Sequence, residues 1–490
     1  MNIPNLFELL QQVFIVQDKN WSLCTISFMV AFIIFFAFYL IINRKRRTLM
    51  MGYVILFSLF FAYKANGTLM LLLPATALLS WGLTEQIKKS TGKQRKLWLT
   101  LTIMLDLMPL LYYKYTNFLL TSINTIFATN FSLLEIFLPI GISFYTFQAI
   151  SYSIDVYRQR FTLNTSLLEY LFYLTFFPLL MAGPITRAEV LIPQLKKEPC
   201  RDKEFIYSGL WLIIIGLLKK GLIADYIAQY NNWIFDDPTT YSGFENLMGV
   251  LGYTLQIYCD FSGYSDMSIG LASILGFSLK ENFNFPYQSL NLTEFWRRWH
   301  IALSTWFRDY VYIPLGGNRK GKFVMYMNSF VTMLVSGLWH GASWMFVLWG
   351  AIHGVGLVVH KMCKRWLDAI PNIFPVRFIA LLITFTYVSV AWIFFRAHDL
   401  ESVFAIINQI VTDFSWDYLV PFVKARPVWS LFVLLGFGLH FIIRCNHYQW
   451  LQKRFICTPF IIKLVIFLVV VQLIINFRQD NVAPFIYAQF

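Results

Sequence analysis

Residues 323–360 read FVMYMNSFVTMLVSGLWHGASWMFVLWGAIHGVGLVVH, thirty-eight residues without a Lys, Arg, Asp or Glu. About 20 apolar residues cross the hydrocarbon of a bilayer as a helix. This stretch is long enough for two passes and reads as an apolar hairpin. The rest of the chain agrees. Of its 490 residues 58% are hydrophobic, only 13% are charged and 49 are Phe, where a soluble domain carries about 25% charged residues. A water-facing globule of this composition would expose too much apolar surface to stay dissolved. Soluble enzymes, disordered chains, disulfide scaffolds and fibrous repeats are excluded. The apolar runs are long and continuous rather than short and alternating, which excludes a β-barrel and leaves an all-α polytopic membrane protein.

Working outward, apolar runs recur at 21–42, 48–63, 67–83, 97–120, 136–156, 168–185, 205–224, 245–278, 376–395, 427–444 and 460–477. Residues 1–20 read as an interfacial amphipathic segment rather than a cleavable signal, because a basic start and a small-residue cleavage site are missing. Residues 21–490 read as one membrane-embedded domain. The net charge of +14 fits basic loops held at the cytoplasmic face, and no nucleic-acid partner is implied. Basic clusters at Arg44–Arg47 and Lys88–Lys96 put the N-terminus outside the cell. The segment 168–185 has basic flanks on both sides and ends in Met181-Ala182-Gly183-Pro184, so a re-entrant segment is expected there. The six cysteines are scattered, mostly within apolar runs, and read as small buried apolar residues.

Polar groups at membrane depth are expensive and mark sites. Residues 258–268, YCDFSGYSDMS, place Asp260, Ser262, Tyr264, Ser265, Asp266 and Ser268 in one apolar run. A buried hydrogen-bond network locking helices together accounts for them as well as direct chemistry does. Residues 294–300, EFWRRWH, and the stretch up to Lys322 interleave Trp and Tyr with Arg and Lys. That pattern predicts an amphipathic helix at the cytoplasmic interface, its aromatics among the headgroups. It serves either as a plain anchor or as a cationic port for a phosphorylated acyl donor. Gly316–Lys322 satisfies G-x-x-x-x-G-K, but Phe323 follows instead of Ser or Thr and Pro314 precedes it, so a nucleotide P-loop is rejected. His340 sits in the middle of the hairpin beside Gly337, Gly341 and Ser343, small neighbours that leave room for a substrate chain. His353 and His360, seven apart, share a helix face without a carboxylate or Cys at ligand spacing, so no metal is assigned.

These stretches resemble the membrane-bound O-acyltransferase family, and within it the bacterial alginate O-acetyltransferase-like branch. The likeness is carried by LPIGISFYTFQAISYSIDVYR at 138–158, MAGPITR at 181–187, YCDFSGYSDMSIG at 258–270 and the long block from Glu281 to Arg319. LWHGASWMFVLWGAIHG at 338–354, AWIFFRA at 391–397 and APFIYAQF at 483–490 continue it. The string PLGGNR at 314–319 is typical of the polysaccharide-modifying branch. The resemblance implies a ring of transmembrane helices around a central funnel, with re-entrant and interfacial helices. It implies that His340 is the active-site histidine and His300 the second conserved polar position.

The implied reaction moves an acetyl or other acyl group from a cytoplasmic thioester, acetyl-CoA or a relative, for O-acetylation of an extracytoplasmic polysaccharide. The donor is a substrate, and no permanently bound cofactor is expected. A hydroxyl is a poor nucleophile at its own pKa, so His340 is expected as general base and His300 as positioner or proton donor. Arg297 and Arg298 are candidate donor-phosphate contacts. Asp260, Asp266 and Asn318 are candidates for supporting the two histidines. An extracytoplasmic acetyltransferase or esterase-like protein is the expected partner, beside membrane lipid, and the cell membrane is the expected location. A lipid-linked sugar transporter or flippase is the alternative from another class, and D-alanyl transfer to a cell-wall polymer the alternative within this one. At the C-terminus, Tyr487 stands in a cluster that reads as an interfacial aromatic anchor or, alternatively, as an acyl relay handing the group to the partner.

Overall fold

The computed structural model describes residues 21–42, 46–200 and 202–477. The expected interfacial segment 1–20 and the tail bearing Tyr487 lie outside the described residues. Among the described residues every regular element is a helix. The chain packs as two compact units, Met1–Ile213 with Tyr264–Lys280, and Ile214–Gly263 with Glu281–Phe490.

The described part of the first unit runs through α1 (Ile26–Ile41), α2 (Arg47–Asn66), α3 (Leu72–Lys89), α4 (Gly92–Leu110), α5 (Thr116–Phe127), α6 (Ile142–Tyr157), α7 (Leu167–Thr175), α8 (Phe177–Leu180), α9 (Ala188–Leu195) and most of α10 (Lys203–Leu217). Helix α1 is shorter than the predicted span 21–42, because the Thr25 side chain accepts the Phe28 N–H and starts the helix there. The predicted re-entrant stretch is two short helices, neither long enough to cross a bilayer. They part at Phe176, whose ψ of 106° leaves the helical region, one residue before Phe177-Pro178 opens α8. The freed backbone groups find side-chain partners within the unit. The Phe177 N–H donates to Ser58 Oγ at 3.1 Å, and Ser268 Oγ donates to the Pro178 carbonyl at 2.5 Å. Broken backbone at membrane depth persists because protein satisfies it.

The second unit holds α11 (Asp225–Asp236), the N-terminal part of α12 (Gly243–Ile274), α13 (Leu292–Arg298), α14 (Ile301–Phe307), α15 (Lys322–His340), α16 (Trp344–Leu367), α17 (Phe374–Arg396), α18 (Leu400–Thr412), α19 (Leu419–Ala425), α20 (Pro427–Ile442), α21 (Cys445–Cys457) and α22 (Phe460–Phe477). Helices α15 and α16 form the predicted hairpin. Ser343 caps α16 by accepting the Met345 N–H at 3.2 Å. The two helices meet through glycine: a Cβ on Gly337 would lie 2.2 Å from the Phe346 carbonyl, and one on Gly350 2.5 Å from the Met333 carbonyl.

Five helical stretches among the described residues are long and apolar enough to span a bilayer: Arg47–Lys89, Lys203–Asp236, Trp344–Leu367, Phe374–Arg396 and Phe460–Phe477. A sixth is the pair Trp416–Ala425 and Pro427–Ile442, bent by 107° where Pro427 opens the second helix. The protein is an all-α polytopic membrane protein. The cysteines depart from expectation: Cys259 is buried, whereas Cys445 and Cys457 are exposed on α21, which is more polar than the spans.

Candidate active site

The chemistry-bearing residues of the second unit gather around the inner ends of α13, α15 and α16. The predicted interfacial helix at 294–312 is broken. Helix α13 ends at Arg298, Trp299 is extended, and His300 adopts a left-handed φ of 42° before α14 begins. Its aromatics turn inward: Trp296, Trp299, Trp306 and Tyr310 are all buried in the unit, not set among headgroups, and Trp296 and Trp299 join the core formed with α16 and α17. Arg297 and Arg308 stay exposed.

A left-handed residue other than glycine is held by its surroundings. Here the holder is Asn282, buried on the preceding loop. Its Oδ1 accepts the Ala302 N–H at 3.1 Å and lies 3.0 Å from His300 Nδ1, while its carbonyl accepts the Ile301 N–H at 2.9 Å. Since Oδ1 is an acceptor for Ala302, His300 is the Nδ1–H tautomer and its lone pair is on Nε2. His300 is fully buried, and burial pushes its imidazole down to about 3, so it stays neutral at any working pH. Asn282 was missed in the sequence. The available signal was a small polar residue in ENFNFPY, directly before the aromatic-basic block.

His340 is the last residue of α15 and is 2% exposed. Its ring stands edge-to-face with Trp339 at 5.1 Å, Trp349 at 4.9 Å and Phe395 at 5.5 Å. The small neighbours do not leave room for substrate as expected. A Cβ on Gly341 would lie 2.0 Å from the Phe346 ring, so these glycines let α15 and α16 close on each other. The two predicted histidines share a neighbour, Trp339, whose ring lies 6.2 Å from that of His300 and 5.1 Å from that of His340.

The space lies elsewhere. A cavity of about 200 Å³ opens along α15, bounded by Trp296, Phe307, Arg308, Met333, Ser336 and Lys361 among others. Ser329, Met333 and Ser336 lie on one face of α15, and the next position on that face, four residues beyond Ser336, is His340. Arg308 is exposed and Ser336 is buried, so the cavity runs inward toward His340. At the outer end the Lys361 ammonium donates to Ser329 Oγ at 2.5 Å and lies 5.2 Å from the Tyr312 ring centroid. This end carries two cations, of which Arg308 is also paired with Asp309 at 2.8 Å, and the lining further in is mostly apolar.

The remaining predicted residues divide. Arg298 is engaged by Glu294, one turn earlier, at 2.8 Å. Asn318 is exposed on the loop before α15, a loop fastened by Asn328 Nδ2 to the Gly317 carbonyl at 3.0 Å. Asp260 is buried and ion-paired with Lys220, which also holds Asp225 at 2.7 Å. Phe261, the next residue, packs on His300 at 4.6 Å, so Asp260 braces the wall behind that ring. Asp266 belongs to the first unit and is half-buried there. Of the cations that line the cavity, Arg308 belongs to the stretch read as a cationic port, whereas Lys361 was not predicted.

Comparison with known proteins agrees with this architecture. Residues 164–404 match the profile of MBOAT, the membrane-bound O-acyltransferase family. The chain is 36% identical over 386 residues to a peptidoglycan O-acetyltransferase of Helicobacter pylori, covering 73% of each chain. It is 39% identical over 392 residues to a probable alginate O-acetylase, AlgI, of Pseudomonas aeruginosa, covering 78% of this chain and 73% of that one. To the probable alginate O-acetylase AlgI of Azotobacter vinelandii it is 45% identical over 311 residues, 62% of this chain and 60% of the other. The fold and these likenesses define a membrane-embedded O-acyltransferase. The chain belongs to the membrane-bound O-acyltransferase family.

Proposed function

We propose that the protein takes an acetyl group from a cytoplasmic thioester, acetyl-CoA or a related acyl donor, and passes it toward an extracytoplasmic polysaccharide, whose hydroxyls become O-acetylated. The relatives named for alginate and peptidoglycan acetylation support the substrate class. The observation that carries the reading is the cavity whose α15 face continues to His340. Its cationic outer end, with Arg308 and Lys361, suits the phosphates of the donor, and its apolar depth suits the thioester arm.

His340 is the general base. As the acceptor hydroxyl attacks the thioester carbon, its proton passes to the imidazole. The tetrahedral intermediate collapses, the carbon–sulfur bond breaks, and the thiolate takes that proton back. A base so placed contributes about 10²–10⁴ in rate. His300 is a positioning group: its own proton is committed to Asn282, so Nε2 accepts hydrogen bonds and does not donate a proton. Arg297 is a peripheral phosphate contact, and Arg298 orders the loop through Glu294. A separate extracytoplasmic transferase completes delivery to the polymer, and the N-terminus faces that compartment.

The test is thiol release from acetyl-CoA by the purified protein in lipid nanodiscs. Wild type releases thiol, and His340→Ala loses at least about 100-fold while remaining folded. A wild-type protein that releases none with acetyl-CoA, yet moves lipid-linked sugar, would establish the transport alternative. Release only with a D-alanyl thioester would establish alanyl transfer.

A further inference from the structure

The reaction needs a hydrogen-bond donor for the oxyanion that forms on the thioester carbonyl. His300 is not that donor, because its only proton is directed at Asn282. His353 has no role so far, and its surroundings are unusual. It is completely buried on α16, and neither ring nitrogen has a hydrogen-bond partner among the described residues. Its neighbours are rings: Trp349 at 4.8 Å, Trp296 at 5.1 Å and Phe295 stacked at 6.2 Å. A buried polar group without a partner is destabilising, and a Phe of similar shape would avoid that cost. An imidazole kept there serves a polar group that arrives with the substrate.

Its position says which group. Leu357, one turn further along α16, lines the cavity, and Trp296, which packs on His353, lines it too. His353 thus lies at the inner end of the α16 wall, as His340 does on the α15 wall. Trp349 touches both imidazoles, 4.9 Å from His340 and 4.8 Å from His353, so the two ring centres are no further apart than those spacings end to end. A chain of ring N–H, carbonyl oxygen, carbonyl carbon, attacking hydroxyl and ring nitrogen can span up to about 12 Å between ring centres, so both imidazoles are within reach of one thioester carbonyl.

We propose that His353 is a second catalytic residue, a neutral imidazole that donates a hydrogen bond from one ring nitrogen to the carbonyl oxygen of the bound thioester. This rests on the acyl-thioester reading above. The carbonyl π electrons move onto the oxygen as the hydroxyl oxygen bonds to carbon, and His340 takes the hydroxyl proton. The N–H of His353 stabilises the oxyanion without transferring its proton. When the carbonyl re-forms, the thiolate leaves and is protonated from His340.

The experiment uses full-length protein in nanodiscs with acetyl-CoA labelled with carbon-13 at the carbonyl. His353→Phe keeps the aromatic packing and removes both nitrogens. Its kcat falls about 10²–10³-fold, the loss of one oxyanion donor, while KM for acetyl-CoA stays within roughly threefold. His353→Gln, which restores an N–H, recovers about tenfold or more of that loss. The infrared band of the bound carbonyl, lowered in wild type and in His340→Ala, returns toward its solution position in His353→Phe. Melting temperature is unchanged or higher in His353→Phe, because an unsatisfied group is gone. A fall in melting temperature, a wild-type kcat or an unshifted band would each overturn the assignment. Trp349 also carries an unbonded indole N–H. A larger kcat loss in Trp349→Phe than in His353→Phe would move the role to the indole and overturn this one. Absence of thiol release by wild type defeats the thioester reading and this inference together; His353→Phe at wild-type turnover defeats this inference alone.

Discussion

Asn282→Ala isolates the arrangement that orients His300. In wild type one side-chain oxygen accepts the Ala302 N–H at 3.1 Å and is 3.0 Å from His300 Nδ1, which donates to it. The variant leaves both donors without that acceptor. An orphaned buried donor costs roughly 1–3 kcal/mol, and Ala302 is only partly buried, so the total loss is about 2–4 kcal/mol. The backbone bond from Ile301 N to the Asn282 carbonyl remains, so the loop stays closed. His300, at φ 42°, loses the group that selects its tautomer and orientation. Misplacement of a positioning group by about 1 Å lowers turnover by about 100-fold. Acetyl-CoA turnover and thermal unfolding in matched nanodiscs measure the two effects. Asn282→Asp separates them. Its carboxylate accepts both hydrogen bonds and restores stability, but an adjacent negative charge favours the imidazolium and raises the His300 pKa from about 3. Activity of Asn282→Asp then gains an acid limb at that raised value, in addition to the limb that both proteins share from protonation of His340. Wild-type turnover and melting in Asn282→Ala would refute the role given to this contact.

Three further outcomes follow from the same structure. Lys220→Met takes the paired ammonium from the buried Asp260 and the half-buried Asp225 and destabilises the protein by about 3–5 kcal/mol; the double change with Asp260→Leu costs less, measured by thermal unfolding in detergent. Because His300 resists protonation in the folded state but not in the unfolded chain, stability declines as pH falls from 6.5 toward about 3; His300→Gln, which does not titrate, makes that decline shallower. If Tyr487 is an acyl relay, an acetylated C-terminal peptide accumulates when the extracytoplasmic partner is missing, detectable by mass spectrometry, and Tyr487→Phe stops polymer acetylation. Normal acetylation in that variant makes the tail an anchor.

The membrane class, the helical fold and the hairpin at 323–360 were legible from the sequence because each rests on a local property, apolar length against bilayer thickness. A break in 168–185 was legible from the basic flanks and the Met181–Pro184 string, but the additional break at Phe176, before Phe177-Pro178, was not read from the sequence. His340 and His300 were singled out by motif, and the hairpin places the first at a helix end. What they face was decided by tertiary packing. Periodicity cannot tell a tryptophan aimed at headgroups from one turned into a core, and the left-handed turn at His300 sent Trp296 and Trp299 inward. A glycine beside a histidine does not reveal whether it makes space or lets two helices touch; Gly337 and Gly341 do the latter. Asn282 lies eighteen residues from His300, and the cavity joins Arg308 to Lys361 across fifty-three. Hydrogen bonds and cavity walls between residues so far apart in the chain exist only once α13 to α16 have packed, so only the folded second unit sets the tautomer of His300 and brings the α16 wall, with His353, beside His340.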